Sequence, residues 1–171
     1  LKKLKPFMAR RKIEAFRLYD WDIPEVRAIV DWYQGHIVVS EYERTQTETV
    51  KDWLGTVAAA TAQKLGLTPE QVHIRRRHTG TGTRYEKLSK GGVRLAVREG
   101  DLQFMVNLDT YLDTGLFADH RLTRELVMKE ARGKRFLNLF CYTGSFTCYA
   151  AKGGARATTS VDASNTYLEW A

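Results

Sequence analysis

A short apolar stretch that ends in a glycine turn constrains this chain more than any other feature. Residues 136–140 read Phe-Leu-Asn-Leu-Phe, a Thr-Gly-Ser turn follows at 143–145, and small residues continue to a Gly-Gly pair at 153–154. A second run at 157–161, Ala-Thr-Thr-Ser-Val, precedes Asp162. Strand, tight turn, helix, strand and acid in this order are typical of the start of a nucleotide-binding α/β sheet.

The glycine and the acid indicate which ligand this turn could hold. Ligands of such sheets lie beyond the carboxyl ends of the strands, where Gly144 would let the backbone and the helix N-terminus come close. Asp162 lies 18 residues after Gly144, the usual distance for a carboxylate that accepts hydrogen bonds from ribose hydroxyls. Because the turn lacks the several glycines that a pyrophosphate needs, we expect S-adenosylmethionine in preference to a dinucleotide.

The predicted elements divide the 171 residues into two parts. Strands are expected at 16–21, 25–30 (a continuation broken at Pro24), 36–42 and 72–77, with a hairpin at 93–98 and 102–108. Apolar residues spaced from Val50 to Leu65 predict a helix that begins at Thr45 or Thr47 and ends at Gly66. We therefore predict a basic helix or linker at 1–12, an α+β module at 13–112 with one helix on a mostly antiparallel sheet, and at 113–171 the truncated start of an α/β Rossmann-like sheet. That sheet begins with a helix at 119–129 and a strand at 135–140.

The charge pattern suits contact with nucleic acid. The net charge is +7, and basic residues concentrate near the start of the chain and at 75–77, next to a Gly/Thr loop with a tyrosine. Such clusters suit phosphate contacts and base stacking, although a solvated strand end with an ordinary loop would look the same. The candidate RNA-binding residues are Lys2, Lys3, Lys5, Arg10, Arg11, Lys12, Arg75, Arg76, Arg77, Arg84 and Tyr85.

Other classes find little support in the sequence. No apolar run approaches the ~20 residues of a membrane helix, and the basic start lacks the apolar segment of a signal peptide. We interpret Cys141 and Cys148 as small buried residues in a reducing cytoplasm, not as a redox pair. No Cys/His cluster has metal-ligand spacing, so no metal is expected. The chain begins at Leu1, which suggests a piece of a longer protein.

Three blocks of sequence resemble class I rRNA methyltransferases. They are residues 113–121 (Asp-Thr-Gly-Leu-Phe-Ala-Asp-His-Arg), 136–144 and 161–171. With Arg-Leu-Tyr-Asp at 17–20 and Tyr-Leu-Asp-Thr-Gly at 111–115, the chain is similar more narrowly to the methyltransferase K half of the bacterial 23S rRNA guanine methyltransferase K/L family. The resemblance implies S-adenosylmethionine-dependent methylation of 23S rRNA at a guanine, with N7 favoured over N2. A non-enzymatic RNA-binding module and a dinucleotide-binding domain are the alternatives.

The resemblance also implies a set of donor-binding residues. They are Phe117, Asp119 and Arg121 before the first strand, Asn138, Phe140, Tyr142, Thr143 and Gly144 in the turn, and Asp162 and Ser164 after the second strand. Each has a structural alternative: Asp119 as a cap of the helix at 119–129, the two phenylalanines as core aromatics, Asn138 as a satisfied buried amide, and Asp162 or Ser164 as a helix cap.

The acceptor-side motif of such enzymes, Asp/Asn-Pro-Pro, is absent, because the chain has only Pro6, Pro24 and Pro69. No catalytic residue is therefore assigned. We expect this chain alone to bind the donor weakly, to be inactive, and to self-associate through the apolar faces of an incomplete sheet.

Overall fold

The computed structural model describes residues 4–42, 52–77, 91–111 and 113–171, without the side chains of Tyr42 and Arg77. Its helices are α1 Lys5–Arg10, α2 Trp53–Leu65, α3 Arg121–Glu130, α4 Ser145–Lys152 and α5 Asn165–Trp170. Its strands are β1 Ala15–Asp20, β2 Ile29–Tyr33, β3 His36–Tyr42, β4 Val72–Arg77, β5 Arg94–Glu99, β6 Leu102–Asn107, β7 Arg135–Leu139 and β8 Ala157–Val161. Short 3-10 turns occupy Pro69–Gln71 and Ala118–His120. Within these ranges, no helix has the length and apolar character needed to cross a membrane.

Strands β1 to β4 form one sheet in sequence order. The first two pairings are antiparallel, and β4 joins β3 in parallel. Helix α2 covers one face, where apolar side chains of β2 and β3 pack against Leu54 and Ala58. Because strand side chains alternate between faces, the residues between these apolar ones point to the opposite side of the sheet.

The prediction that residues 25–30 continue the first strand is wrong. β2 begins at Ile29 and returns antiparallel to β1, with Asp20 opposite Ile29. The Tyr19 hydroxyl stabilises the reversal, since it donates to the Val26 carbonyl at 2.7 Å and accepts from the Ile23 amide at 3.0 Å. This turn depends on a side chain that reaches back across it, which a local strand pattern does not reveal.

The hairpin β5–β6 is also not part of the four-stranded sheet, as the predicted module implied, but a separate pair of strands. Its apolar side packs in one core cluster with Tyr33 and Val38 of the sheet and with Tyr149 of α4. The Phe104 and Tyr149 rings stack with centroids 6.1 Å apart. The hairpin thus joins the first sheet to the second half of the chain.

A buried ion pair strengthens this junction. Arg124 of α3 is fully buried and forms two hydrogen bonds to the Glu99 carboxylate of β5, at 2.8 and 2.7 Å. The Tyr149 hydroxyl donates to the same carboxylate at 2.9 Å, and Arg124 Nη1 donates to the Phe117 carbonyl at 2.8 Å. One guanidinium therefore connects the hairpin, α3 and the segment that precedes it.

The second half follows the predicted order of elements. β7 and β8 pair in parallel, from Arg135 opposite Ala157 to Leu139 opposite Val161, and α4 connects them. β8 has the predicted bounds, whereas α3 begins two residues later than predicted because the 3-10 turn precedes it. At the other end, α1 covers Lys5–Arg10 of the predicted basic helix or linker at 1–12. α2 ends before Gly66 as predicted, and Thr45 and Thr47 lie outside the described residues.

Candidate active site

The turn after β7 has an unusual backbone. Phe140, Tyr142 and Gly144 have φ values of 57°, 53° and 73°. Glycine accepts this left-handed conformation, but each of the two aromatic residues carries a strain of about 1–3 kcal/mol. Phe140 is 88% exposed, so it is not a core aromatic and its burial does not offset the strain. Strained backbone of this kind is concentrated at ligand-binding sites.

Asp162 braces this turn from the end of β8. Its Oδ2 accepts from the Tyr142 amide at 2.8 Å, and its Oδ1 accepts from the Ser164 amide at 2.9 Å. A carboxylate has about four lone-pair positions, so two backbone bonds leave capacity for two hydroxyls of a ribose. The residues present therefore fit the ribose of a nucleoside cofactor. Ser164 also caps α5, because its hydroxyl accepts from the Tyr167 amide at 3.4 Å.

Gly144 is the N-cap residue of α4, and two constraints disfavour any larger residue at this position. Its φ favours glycine, and a Cβ there would come within 2.9 Å of the Ala171 side chain. Within the described ranges, no side chain caps α4. The first amides of this helix therefore remain suited to an anionic group, such as the carboxylate of an amino acid.

Segment 113–119 lies against the same turn. Thr143 donates from its hydroxyl to the Gly115 carbonyl at 2.5 Å. The Phe117 ring packs on Tyr142 with centroids 5.2 Å apart, and 47% of Phe117 is exposed, so Phe117 is not a core aromatic either. Asp119 is exposed and does not cap α3, whose N-cap residue is His120. The structure thus places Phe117 beside the turn, and Thr143 of the turn holds Gly115.

Asn138 has a structural role in the second sheet. Its amide donates to the Thr147 hydroxyl at 3.0 Å, and Thr147 is hydrogen-bonded to Ser160 at 2.7 Å. These three side chains connect β7, α4 and β8 and so fix the helix over the two strands. Arg121, at the first position of α3, is half-buried.

Segment 113–119 also borders a polar cavity of about 240 Å³. The face of the first sheet opposite α2 forms its floor. Its polar lining comprises Arg17, Asp31, Tyr33, Ser40, Arg75 and Asp113, and Phe117 and Asp119 border it. Of these residues, only Arg75, Phe117 and Asp119 were predicted as site residues from the sequence. The others could have been found from the alternation of polar and apolar residues along β1 to β4.

The charges of this cavity are held by neighbours. Arg17 Nε donates to Asp31 Oδ1 at 3.0 Å across β1 and β2, and Arg17 Nη1 donates to Asp20 at 3.1 Å. Burial raises the pKa of Asp31, although the hydrogen bond from Arg17 acts in the opposite direction. Burial likewise raises the pKa of Tyr33, whose hydroxyl lies 2.9 Å from Thr114 Oγ1.

The predicted arginine cluster does not form one surface. Arg75 is 4% exposed and donates to the Asn107 carbonyl at 2.9 Å. Arg76 points to the other face of β4, where it pairs with Glu41 at 3.2 Å and Asp52 at 3.4 Å. The side chain of Arg77, and Lys2, Lys3, Arg84 and Tyr85, lie outside the described residues.

The basic residues near α1 lie at the surface. Lys5 and Arg10 are exposed, Arg11 pairs with Glu125 at 3.0 Å, and Lys12 pairs with Asp101 at 2.8 Å.

The cysteines and the possible metal ligands are a separate matter. Burial raises the pKa of the Cys141 and Cys148 thiols. Over the part of the chain that the structure describes, His, Cys, Asp and Glu side chains form no group of three that could hold a metal ion.

Several known proteins are similar to this chain in sequence. The large-subunit rRNA methyltransferase K/L of Pseudomonas aeruginosa is 49% identical over 100% of this chain, which covers 24% of that relative. The large-subunit rRNA methyltransferase K of Neisseria meningitidis serogroup B is 48% identical over 100% of the chain, which covers 49% of it. The chain thus spans about a quarter to a half of the curated relatives it matches.

Solved structures share the fold. A methyltransferase complexed with SAH superposes with a TM-score of 0.73 and 27% identity, over 99% of this chain and 43% of that one. A SAM-dependent methyltransferase from Streptococcus mutans has the same TM-score and identity, over 99% and 44% of the two chains. The S-adenosylmethionine-dependent methyltransferase family matches residues 16–170, which include the strained turn, Asp162 and every strand from β2 to β8. The chain therefore belongs to the S-adenosylmethionine-dependent methyltransferase family.

Proposed function

We propose that the protein containing this chain methylates 23S rRNA at a guanine, with S-adenosylmethionine as donor and N7 as the favoured acceptor atom. The observation that carries this proposal is the strained turn braced by Asp162, found in a chain whose relatives are named as large-subunit rRNA methyltransferases. Residues 13–112 form the RNA-facing part, and residues 113–171 form the donor-facing part.

The donor-facing residues have distinct tasks. Asp162 accepts hydrogen bonds from the ribose hydroxyls, and the first amides of α4 after Gly144 face the amino-acid carboxylate. Phe117, Phe140 and Tyr142 supply apolar walls, and Asp119, Arg121, Asn138, Thr143 and Ser164 complete or support the site. When bound, S-adenosylmethionine supplies a methyl group that its sulfonium makes electrophilic.

The acceptor needs positioning more than activation. Guanine N7 carries a lone pair, so attack on the methyl group needs no general base, and the protein contributes mainly alignment of the two reactants. An exocyclic N2 acceptor would instead need a group that takes a proton.

Basic side chains supply the sequence-independent part of RNA binding. Lys5 and Arg10 are exposed, and we include the other predicted residues near the start of the chain and at 84–85. Of the predicted arginine cluster, Arg76 and Arg77 are included as well, whereas Arg75 faces the cavity. The affinity for RNA should therefore fall steeply with salt concentration, because phosphate contacts release counterions.

Calorimetry with the complete protein tests the donor site. Asp162→Ala should weaken S-adenosylmethionine binding by about 1–3 kcal/mol, the range for a hydrogen-bonded charged group. Asp101→Ala is the matched control, since Asp101 is an exposed carboxylate paired with Lys12, and no described contact joins it to the turn. Equal affinities of wild type and Asp162→Ala would remove Asp162 from the site. A wild type that binds the donor but transfers no methyl group to rRNA would contradict the proposed activity.

A further inference from the structure

We propose that the cavity between the first sheet and segment 113–119 receives the target base of the RNA, and that Asp31 recognises guanine by accepting from its N1–H and N2–H groups. This inference rests on the proposed function, since it assigns the acceptor subsite of that methyltransferase. The segment that borders the cavity also contacts the strained turn, so the two subsites would share one wall.

The floor of the cavity combines apolar side chains, Ile29 and Val38, with buried polar groups that a purely structural sheet face would not need. Val30, Ile37 and Val39 pack against α2 on one face, whereas Asp31, Ser40 and Arg75 lie on the other. Ser40 is 6% exposed and Arg75 is 4% exposed. Removing such groups from bulk water costs free energy that apolar residues of similar size would not require. A ligand that uses Asp31 and Ser40 is a physical reason for polar groups on this face.

The dimensions and walls suit a single base. Drug-sized ligands occupy pockets of about 300–1,000 Å³, and a nucleobase is smaller, in keeping with the cavity volume of about 240 Å³. Enzymes that modify a base extrude it into a snug pocket, stack it on aromatic side chains and read its Watson–Crick edge. Phe117 borders the cavity, has about half of its surface exposed and is supported from behind by Tyr142. It is therefore placed to stack on the base.

The donors and acceptors of the cavity fit guanine. Guanine presents two neighbouring donors, N1–H and N2–H, which one carboxylate accepts in parallel, whereas adenine presents an acceptor at N1 that a carboxylate would repel. Asp31 lies on a strand and is held across the sheet by Arg17. Asp113 and Asp119 lie on the bordering segment, which is a less rigid support.

This orientation bears on the choice of acceptor atom. If Asp31 engages N1–H and N2–H, the Watson–Crick edge is directed at the sheet. N7 lies on the opposite edge of guanine and remains available to the shared wall and the donor. The exocyclic N2 amine would instead be engaged as a hydrogen-bond donor. The cavity therefore favours methylation at N7.

The test uses the complete protein and RNA. Wild type is first incubated with 23S rRNA from a strain that lacks the enzyme, and mass spectrometry locates the methylated nucleotide. A synthetic RNA fragment around it is then made with guanosine or with inosine, which lacks only the 2-amino group. Asp31→Asn is compared with Asp20→Asn, which removes the other carboxylate on Arg17 but lies outside the cavity.

We expect wild type and Asp20→Asn to prefer the guanosine fragment in kcat/KM by about 12- to 150-fold, the effect of one hydrogen bond to a charged group. Asp31→Asn should lose a comparable factor on guanosine and show no preference over inosine, with unchanged calorimetric affinity for S-adenosylmethionine. Retention of the wild-type preference by Asp31→Asn would overturn the inference, as would an equal loss in Asp20→Asn.

The design separates this inference from the function on which it rests. Absence of transfer to rRNA by wild type, in the first step, contradicts the proposed function itself. Transfer to guanosine RNA by wild type with no transfer to inosine RNA by any variant would locate the reaction at N2, and would overturn the assigned orientation while leaving the methyltransferase activity intact.

Discussion

The buried Arg124–Glu99 pair gives the sharpest stability prediction. Arg124→Met removes the guanidinium and leaves the Glu99 carboxylate in the core, with only the Tyr149 hydroxyl as a side-chain donor among the described contacts. An unpaired charge in such a place typically lowers the free energy of unfolding by about 3–5 kcal/mol. The Phe117 carbonyl also loses its partner, which places the effect at the upper end of that range.

Two further variants calibrate this number. Tyr149→Phe removes one hydrogen bond to Glu99 and keeps the ring packed on Phe104, so it should cost only about 1 kcal/mol. The double change Glu99→Leu with Arg124→Met replaces the pair by apolar side chains of similar size. It should recover most of the stability lost in Arg124→Met, because no buried charge remains.

Urea unfolding followed by tryptophan fluorescence measures all four proteins. From highest to lowest, the expected order of the free energy of unfolding is wild type, Tyr149→Phe, the double variant and Arg124→Met. The values for Tyr149→Phe and the double variant should be similar. If Arg124→Met were no less stable than Tyr149→Phe, or if the double variant were less stable than Arg124→Met, the account of this pair as a coupled buried charge would be wrong.

Three other predictions concern the second half of the chain. Phe140→Gly should not lower the free energy of unfolding, because the ring is exposed and its backbone is strained. It should nevertheless weaken S-adenosylmethionine binding. A stability loss above about 1 kcal/mol in urea unfolding would contradict the stability prediction. Thr147→Val should cost about 1–3 kcal/mol in the same assay, since Asn138 and Ser160 lose their shared partner, whereas an unchanged midpoint would show that the network contributes nothing. The 171-residue chain should self-associate in light scattering, and Leu137→Ser, at an exposed leucine of β7, should reduce the association; a monomeric wild-type chain would refute this.

The sequence predicted those parts of the fold that local patterns determine. β3, β4 and β8 have the expected bounds because an apolar or β-branched run is limited by turn residues on each side. Gly144 was identifiable because a tight turn before a helix needs a residue that accepts positive φ. The fold predicted for the second half, an α/β sheet of methyltransferase type, agrees with the structural neighbours.

Features that depend on distant partners were not predictable in this way. The Tyr19 hydroxyl that reverses the chain before β2 acts through tertiary hydrogen bonds. Arg124 and Glu99 look like ordinary surface charges in the sequence, because only their mutual pairing makes burial tolerable. Asp31 and Arg75 of the cavity lie on strands that α2 separates in the sequence. No motif spacing in the sequence therefore indicates the cavity. Roles in donor and RNA binding remain predictions for all the residues assigned to them.

The alternation along β4 has a consequence for how the chain finds its fold. Among the described strands, β4 lies at the edge of its sheet and pairs in parallel with β3, with Val39 opposite Ile74 and Ser40 opposite Arg75. A slip of one residue would turn Arg75 toward the apolar side chains under α2 and would turn Ile74 into the polar cavity. An unpaired guanidinium in an apolar core costs several kcal/mol. The same polarity that shapes the cavity therefore also selects a single strand register during folding.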